Sequence, residues 1–165
     1  MIKVIDKKNK FIEMFNPQTG FYVRSGVIDE NGKDTGVDPF MRSYPSLLDI
    51  GIMGHCLNAS KCTIGCYQGK MNKPNMPLEN FKKIVDQSKG KTFEMALGGS
   101  GSPNEHEDFV EIVKYARENG IVPNYTTSGI ELTDEQIKTT KDFCGAVACS
   151  QYSNLKKAII RRRIV

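Results

Sequence analysis

Three of the chain's five cysteines lie close together, in the segment GHCLNASKCTIGCYQGK at residues 54–70. They are Cys56, Cys62 and Cys66, and the segment holds no fourth cysteine. Thiolates at such short spacings are able to hold a metal ion or an iron–sulfur cluster. Glycine and polar residues surround the cysteines, which indicates a loop rather than a buried core segment.

Three interpretations of this triplet differ in their chemistry. A structural zinc site takes four ligands, commonly as two close pairs, and His55 is poorly placed as a fourth ligand because it adjoins Cys56. Unconnected structural cysteines are common, but they favour buried segments. A cubane iron–sulfur cluster held by three thiolates leaves one iron open to a small molecule, which accounts for the missing fourth cysteine. Zinc and structural cysteines stay open as alternatives at this point.

Composition defines the setting of the cysteine loop. A chain of 165 residues with 39% hydrophobic and 25% charged residues suits one globular domain. No apolar run approaches the roughly 18 residues of a membrane span, and the start lacks the apolar segment of a secretory signal, so we expect a cytoplasmic protein without a membrane partner. Clustered cysteines in that reducing compartment favour ligation over disulfides. The net charge of +4 lies largely in KKNK and RRR runs without interleaved aromatics, which does not favour a nucleic-acid partner.

The pattern of apolar residues predicts two regions. Residues 1–46 form a β-rich N-terminal segment, in which Phe21, Val23 and Val27 share one face of a strand. Residues 47–165 alternate between strand and helix patterns, and Thr133 with Gln136 forms a capping box at one helix start. The predicted strands cover 47–54, 92–99, 121–129 and 145–152, and the predicted helices cover 78–89, 104–120, a segment beginning at 133, and 154–165.

Alternating strands and helices predict an α/β fold with parallel strands and right-handed crossovers. The carboxyl ends of such strands meet at one rim, where α/β barrels and sheets build their sites. The cysteine loop follows the first strand, Gly98 and Gly99 end the second, and Ser128 follows the third. We therefore expect these residues to lie together.

Several elements in order carry a family resemblance. The segments DIGIMGHC…KC…CYQ, ALGGSGSPNEHEDFVEIVKYARENGI and VPNYTTSG resemble the first strand and cluster loop, the glycine-rich second strand with its helix, and the third strand of radical S-adenosylmethionine (radical SAM) enzymes. An aromatic residue beside the third cysteine belongs to that pattern, and Tyr67 fills this position. The resemblance runs from Leu47 to Tyr152.

The resemblance implies a cofactor set. Cys56, Cys62 and Cys66 would hold a 4Fe–4S cluster, and the amino and carboxylate groups of S-adenosylmethionine would bind the open iron. An electron from the cluster would then cleave the sulfonium and give a 5′-deoxyadenosyl radical, which takes a hydrogen atom from the substrate. A reductant such as flavodoxin or ferredoxin is the implied partner. Neither the substrate nor a catalytic side chain is identified by the resemblance.

The resemblance also implies residues that bind S-adenosylmethionine. Gly98 and Gly99 would let backbone approach the methionine end of the cofactor, Tyr67 would face the adenine, and Ser128 would reach the cofactor from the third strand. Two features depart from the family. The cysteines are separated by five and then three residues instead of three and then two, and Ser100 follows the glycines where a glutamate is common. Glu105 lies nearby as a weak substitute.

The number of repeating units predicts an incomplete barrel. Four strand–helix units follow the N-terminal segment, whereas the family resemblance implies six. The fold prediction is therefore a partial (β/α) TIM-like barrel of the radical SAM type, which alone would be a poor catalyst. The alternative is a non-catalytic cluster-binding or zinc-binding remnant of such an enzyme.

The remaining candidate residues have structural interpretations. Cys144 and Cys149 flank the fourth strand and are predicted to be buried. His106 is predicted to be a solvated residue at a helix start. Glu94 lies between Phe93 and Met95 on the strand, so it points away from the apolar face.

Overall fold

The computed structural model describes residues 1–61, 65–130 and 132–150. Three short strands come first: β1 (Ile2–Asp6), β2 (Phe11–Phe15) and β3 (Tyr22–Arg24). An alternation of strands and helices follows: β4 (Leu47–Met53), α1 (Leu78–Ser88), β5 (Glu94–Gly99), α2 (Phe109–Glu118), β6 (Val122–Thr127), α3 (Asp134–Phe143) and β7 (Val147–Cys149). Short 3₁₀ turns cover Ala59–Lys61, Tyr67–Lys70 and Pro103–Glu105.

The later strands form one parallel sheet in the order β4-β5-β6-β7. In its register Asp49 lies beside Ala96, and Ala96 lies beside Asn124. Each strand is joined to its neighbour through a helix, which is the kind of connection that parallel strands need. The predicted α/β fold with parallel strands is confirmed.

The helices cover one face of this sheet. Apolar residues alternate along the strands, so that every second side chain packs against the helices. The core formed in this way comprises Ile50, Ile52, Met95, Leu97 and Tyr125 from the strands, and Phe81, Val85, Phe109, Ile112, Val113 and Ala116 from the helices. Toward the carboxyl ends of the strands the opposite face carries small and polar residues, among them Asp49, Ala96, Gly98 and Asn124, and it is the face that a barrel encloses.

Helix α3 begins as the sequence predicts. The Thr133 side chain accepts a hydrogen bond from the backbone N–H of Gln136, and the Gln136 side chain accepts one from the backbone N–H of Thr133. This capping box satisfies two backbone donors that have no partner within the helix.

The first three strands form a separate antiparallel sheet in the order β1-β2-β3. This sheet packs at the amino ends of the parallel strands, where Phe15 stacks on Phe93 with 5.1 Å between ring centroids. Glu13, which is fully buried, forms an ion pair with Arg42 and accepts a hydrogen bond from the Tyr22 hydroxyl. The N-terminal sheet thus lies at the end of the strands that is remote from the cysteine loop.

The strand predicted around Phe21 differs from the structure. Strand β3 covers only Tyr22–Arg24, and its three residues are exposed, as is Phe21. Val27 lies beyond the strand. The prediction of one apolar face was wrong because β3 ends at Arg24, before Val27, and because it is the edge strand of its sheet, where Val23 stays 38% exposed.

Two smaller predictions are also wrong. His106 is buried, and both of its ring nitrogens have partners: Nε2 donates to the carbonyl oxygen of Met76, and Nδ1 accepts from the backbone N–H of Asp108. Cys149 is exposed at the end of β7, whereas Cys144 is buried as predicted.

The remaining expectations concern the membrane and the C-terminal segment. None of the helices in the described part of the chain is long and apolar enough to cross a bilayer. The predicted helix at 154–165 and the last two residues of the predicted fourth strand lie outside the described residues.

Candidate functional site

A cavity of about 680 Å³ lies at the carboxyl ends of the parallel strands. Its walls come from the cysteine loop, from the glycine-rich segment after β5 and from the end of β6. The lining residues include Asp49, Cys56, Asn58, Cys66, Lys70, Ala96, Gly98, Gly99, Ser100, Ser102 and Ser128. The cysteine loop, Gly98, Gly99 and Ser128 thus lie together at this rim, as the strand order led us to expect.

Two of the three predicted cluster ligands line this cavity. Cys56 follows β4 closely, and Cys66 directly precedes the 3₁₀ turn Tyr67–Lys70. Cys62 lies outside the described residues. Among the residues described, no three His, Cys, Asp or Glu side chains are arranged to hold a metal ion. The donor set still fits an iron–sulfur cluster in kind, because cysteine thiolate is the usual ligand of iron in such clusters.

The glycine-rich segment runs against the cysteine loop. Gly99 has a φ of 121°, and a Cβ at this position would lie 2.3 Å from the carbonyl oxygen of Met53. A Cβ on Gly101 would lie 2.6 Å from the carbonyl oxygen of His55. The backbone N–H of Ser100 donates to the Met53 carbonyl at 2.9 Å. Only glycine allows this close backbone approach, which forms a cradle without side chains beside the cavity.

Glu105 connects this segment to the cysteine loop. Its Oε2 accepts a hydrogen bond from the backbone N–H of Leu57 at 3.3 Å, and its Oε1 accepts one from the side-chain amide of Asn58. Asn58 is buried. The carboxylate therefore holds the two residues that follow Cys56, a role that sequence reasoning did not find because Glu105 and Asn58 are far apart in the sequence.

The end of β6 is fixed by a network around Asn104. The Thr127 hydroxyl donates to Asn104 Oδ1 at 2.5 Å, and the Gln136 side chain donates to the Asn104 carbonyl oxygen at 2.6 Å. The Ser102 hydroxyl lies 3.2 Å from the Ser128 hydroxyl and accepts from the Ser128 backbone N–H at 3.0 Å. Asn104 and Thr127 are both buried. The turn after β5, the end of β6 and the start of α3 are thus joined.

Tyr67 lies differently from the other predicted residues. Its side chain is 74% exposed, and it is not part of the cavity wall, although its neighbours Cys66 and Gln68 are. The predicted contact between the Tyr67 ring and adenine stays a prediction. Gly98, Gly99 and Ser128 do line the cavity, and their binding roles likewise stay predictions.

Sequence reasoning missed two polar residues on the inner face of the sheet, Asp49 and Asn124. Asp49 lines the cavity from β4, and the Asn124 side-chain amide donates to Glu94 Oε1 at 3.0 Å. The strand alternation carried the signal, because Asp49 lies between the apolar residues Leu48 and Ile50. Glu94 points away from the apolar core, as predicted.

Comparison with solved structures places this fold. The chain is similar to Streptococcus suis SuiB bound to S-adenosylmethionine, with a TM-score of 0.55 and 19% identity over 64% of this chain and 25% of that one. It is similar to BtrN in complex with AdoMet (S-adenosylmethionine) and 2-DOIA, with a TM-score of 0.57 and 15% identity over 70% of this chain and 49% of that one. The chain is also similar to SuiB bound to precursor peptide SuiA, with a TM-score of 0.55 and 17% identity over 73% of this chain and 31% of that one.

These similarities define the class of fold. The chain has the fold of a partial (β/α) barrel of the radical SAM type, as the cysteine loop and the glycine-rich segment predict. It spans about a quarter to a half of the length of these structures. No family model and no curated protein matches the sequence.

Proposed function

We propose that this chain is a radical SAM domain that binds a 4Fe–4S cluster and S-adenosylmethionine and abstracts a hydrogen atom from a substrate. One observation carries the proposal: Cys56 and Cys66 share a cavity with Gly98, Gly99 and Ser128 at the carboxyl ends of parallel strands. Cysteine thiolates are the usual ligands of such a cluster, and a glycine backbone lets a cofactor approach closely. The fold shared with proteins solved with S-adenosylmethionine supports the same proposal.

The cysteines would hold the cluster in this proposal. Cys56 and Cys66 approach the cavity from the two ends of the loop, and Cys62, between them in sequence, would be the third ligand. A 4Fe–4S cluster supplies, when bound, one electron for the reductive cleavage of S-adenosylmethionine. Glu105 would keep the start of the loop in place through Leu57 and Asn58.

The glycine-rich segment would bind the polar end of S-adenosylmethionine. Gly98 and Gly99 present backbone without side chains, and Ser100 and Ser102 add hydroxyl groups to the same wall. Ser128, which is held by Ser102, would contact the cofactor from the end of β6. Since Glu105 is engaged with the cysteine loop, we do not assign to it the contact with the cofactor's amino group.

The proposal assigns a role to each of the two regions of the chain and names an electron donor. Residues 47–165 would form the cofactor-binding part. Residues 1–46 would form the β-rich segment that packs at the amino ends of its strands. The electron would come from a cytoplasmic reductant such as flavodoxin or ferredoxin. Because the chain spans only part of the length of the similar structures, its substrate and its full activity belong to the proposal.

Anaerobic reconstitution tests the proposal directly. The full chain would be treated with iron and sulfide, reduced with dithionite in the presence of S-adenosylmethionine, and assayed for 5′-deoxyadenosine by chromatography. Cys62→Ala is the ligand variant, and Cys149→Ala is the matched control because Cys149 is an exposed thiol that does not line the cavity. We expect product from the wild type and from Cys149→Ala, and none from Cys62→Ala.

The other outcomes discriminate among the alternatives. A cluster that changes its electron paramagnetic resonance spectrum on addition of S-adenosylmethionine, without cleavage, would identify a binding domain that is inactive alone. A cluster that forms but does not respond to S-adenosylmethionine would favour the non-catalytic remnant. Stoichiometric zinc in the purified protein, with no cluster formed, would reject the proposal.

A further inference from the structure

The inner face of β4 brings a carboxylate into the cavity below the proposed cofactor site. Ile50 and Ile52 pack into the core on the helix side of the sheet, so Asp49 and Gly51 point to the opposite side. Asp49 lines the cavity and is exposed to it. In the strand register Gly51 lies beside Gly98, so Asp49 lies one layer closer to the amino ends of the strands than the glycine-rich cradle.

Small residues leave the space in front of Asp49 open. Its neighbour on β5 is Ala96, and a Cβ built on Gly98 would lie 3.9 Å from Asp49 Oδ1. Gly51 lies on the same face of the strand, one layer above. A group that enters the cavity from the rim therefore reaches the carboxylate without displacing a large side chain.

Asp49 differs from the other acidic residues of this region in its contacts. Glu94 accepts a hydrogen bond from Asn124, and Glu105 is engaged with the cysteine loop. Asp49 makes no hydrogen bond or ion pair with any residue in the described part of the chain, so its oxygens are available to a ligand. Of the described residues that line the cavity, only Asp49 and Lys70 carry a full charge, and Lys70 lies in the exposed 3₁₀ turn after Cys66.

We infer that Asp49 selects a substrate with a positively charged amine, which it binds in the cavity beneath the cofactor. The inference rests on the proposed function for the position of the cofactor. A carboxylate in a concave site binds a cationic group more tightly than a neutral one, because the walls of the site reduce the screening of charge by water. A hydroxyl group can donate a hydrogen bond to the same oxygens but lacks this charge, so it is bound less tightly.

A matched pair of small probes tests the inference. Cyclohexylammonium and cyclohexanol have similar shapes and differ in charge, and their binding to the reconstituted full chain can be measured by ligand-detected NMR. We expect cyclohexylammonium to bind at least tenfold more tightly than cyclohexanol. Asp49→Asn should remove at least tenfold of the ammonium affinity, whereas Glu118→Gln, which removes an equal charge from an exposed position on α2, should leave it unchanged.

A second variant tests the location independently of the charge. Ala96→Leu keeps Asp49 but fills the space beside it. This variant should weaken the binding of cyclohexylammonium at least as much as Asp49→Asn does. Equal affinity for the two probes, or unchanged ammonium affinity in either variant, would overturn the inference. Cluster absorbance and the spectroscopic response to S-adenosylmethionine, measured on the same samples, report the proposed function separately. Ammonium binding that depends on Asp49 in a chain without those responses would leave the inference standing and reject the proposed function.

Discussion

Removal of the Glu105 carboxylate should loosen the cysteine loop. In the Glu105→Ala variant the backbone N–H of Leu57 and the side-chain amide of Asn58 lose their acceptor. Hydrogen bonds to a charged group contribute about 1.5–3 kcal/mol each, and a buried donor left without a partner carries a cost of the same order. The Asn58 bond is partly buried, whereas the bond from Leu57 is longer and exposed, so the first dominates.

We therefore expect the loop to lose about 2–3 kcal/mol of ordering free energy, since the exposed bond adds only about 0.5 kcal/mol. Because 1.4 kcal/mol corresponds to a tenfold change in an equilibrium constant, the open fraction of the loop should rise by about 30- to 140-fold. Glu105→Gln keeps one acceptor oxygen but turns a donor toward the second partner. Its effect should lie between those of the wild type and the alanine variant.

Two measurements follow this change at different stages. Hydrogen exchange of the Leu57 amide reports loop opening in the metal-free chain, and the rate at which the reconstituted cluster is lost reports it in the loaded chain. Both rates should rise in Glu105→Ala and should stay at the wild-type value in the control Glu118→Ala, whose side chain is exposed on α2.

One result would refute this reasoning. Unchanged exchange at Leu57 together with unchanged cluster loss would mean that the carboxylate does not hold the loop. If S-adenosylmethionine binding alone were weakened in that variant, Glu105 would have the role of the family's glutamate instead. The two roles are thereby separated by the step that fails.

Four further predictions concern the cysteines, the cradle and pH. Alanine at Cys56, Cys62 or Cys66 should abolish the brown absorption of the reconstituted protein, whereas alanine at Cys144 should preserve it; equal dependence on Cys144 would contradict the ligand assignment. S-adenosylmethionine should slow the loss of that absorption in air by occupying the open iron, and identical decay with and without it would argue against binding there. Gly99→Ala should lower the thermal midpoint, by an amount equivalent to more than about 2 kcal/mol, because a Cβ would lie 2.3 Å from a carbonyl oxygen at a φ of 121°; an unchanged midpoint would show that the backbone can shift. Burial raises the pKa of Cys144 to about 12 from its ordinary value of 9.0, so the folded state keeps a proton that the unfolded state releases. The free energy of unfolding should therefore decline from about pH 9 toward pH 12 more steeply in the wild type than in Cys144→Ala, and parallel curves from urea titrations would refute this.

Local patterns were sufficient to predict the parallel sheet. The helical spacing of Phe81 and Val85 and of Ile112 and Val113 matches the buried stripes of α1 and α2. The capping box at Thr133 was readable because both partners lie within one turn. Elements defined by residues close in sequence were thus accessible without a structure.

Contacts between distant segments were not accessible in this way. The sequence predicts His106 as an exposed residue at a helix start. In the structure it is buried and hydrogen-bonded to Asp108 and to Met76, which lies thirty positions away. The packing of Phe15 on Phe93 depends on how the N-terminal sheet docks, which no local pattern encodes. The link from Glu105 to Asn58 belongs to the same group.

The residues that line the candidate site were more predictable than its geometry. Residue type and spacing identified Cys56 and Cys66 and the glycines, all of which line one cavity. The orientation of Tyr67 away from that cavity depends on the path of the longer cysteine loop, which the spacing alone does not define. Asp49 was overlooked because a single acid within an apolar strand has no motif around it.

The network around Asn104 has a consequence for engineering. In many (β/α) barrels each loop at the rim can be exchanged for another without rebuilding its neighbours, because the scaffold below is rigid. Here the buried Asn104 accepts a hydrogen bond from Thr127 through its side chain and one from Gln136 through its backbone carbonyl oxygen. A graft that replaced the turn after β5 alone would remove a partner from the end of β6 and from the start of α3. We expect transplants to succeed only when the three segments are moved as a unit.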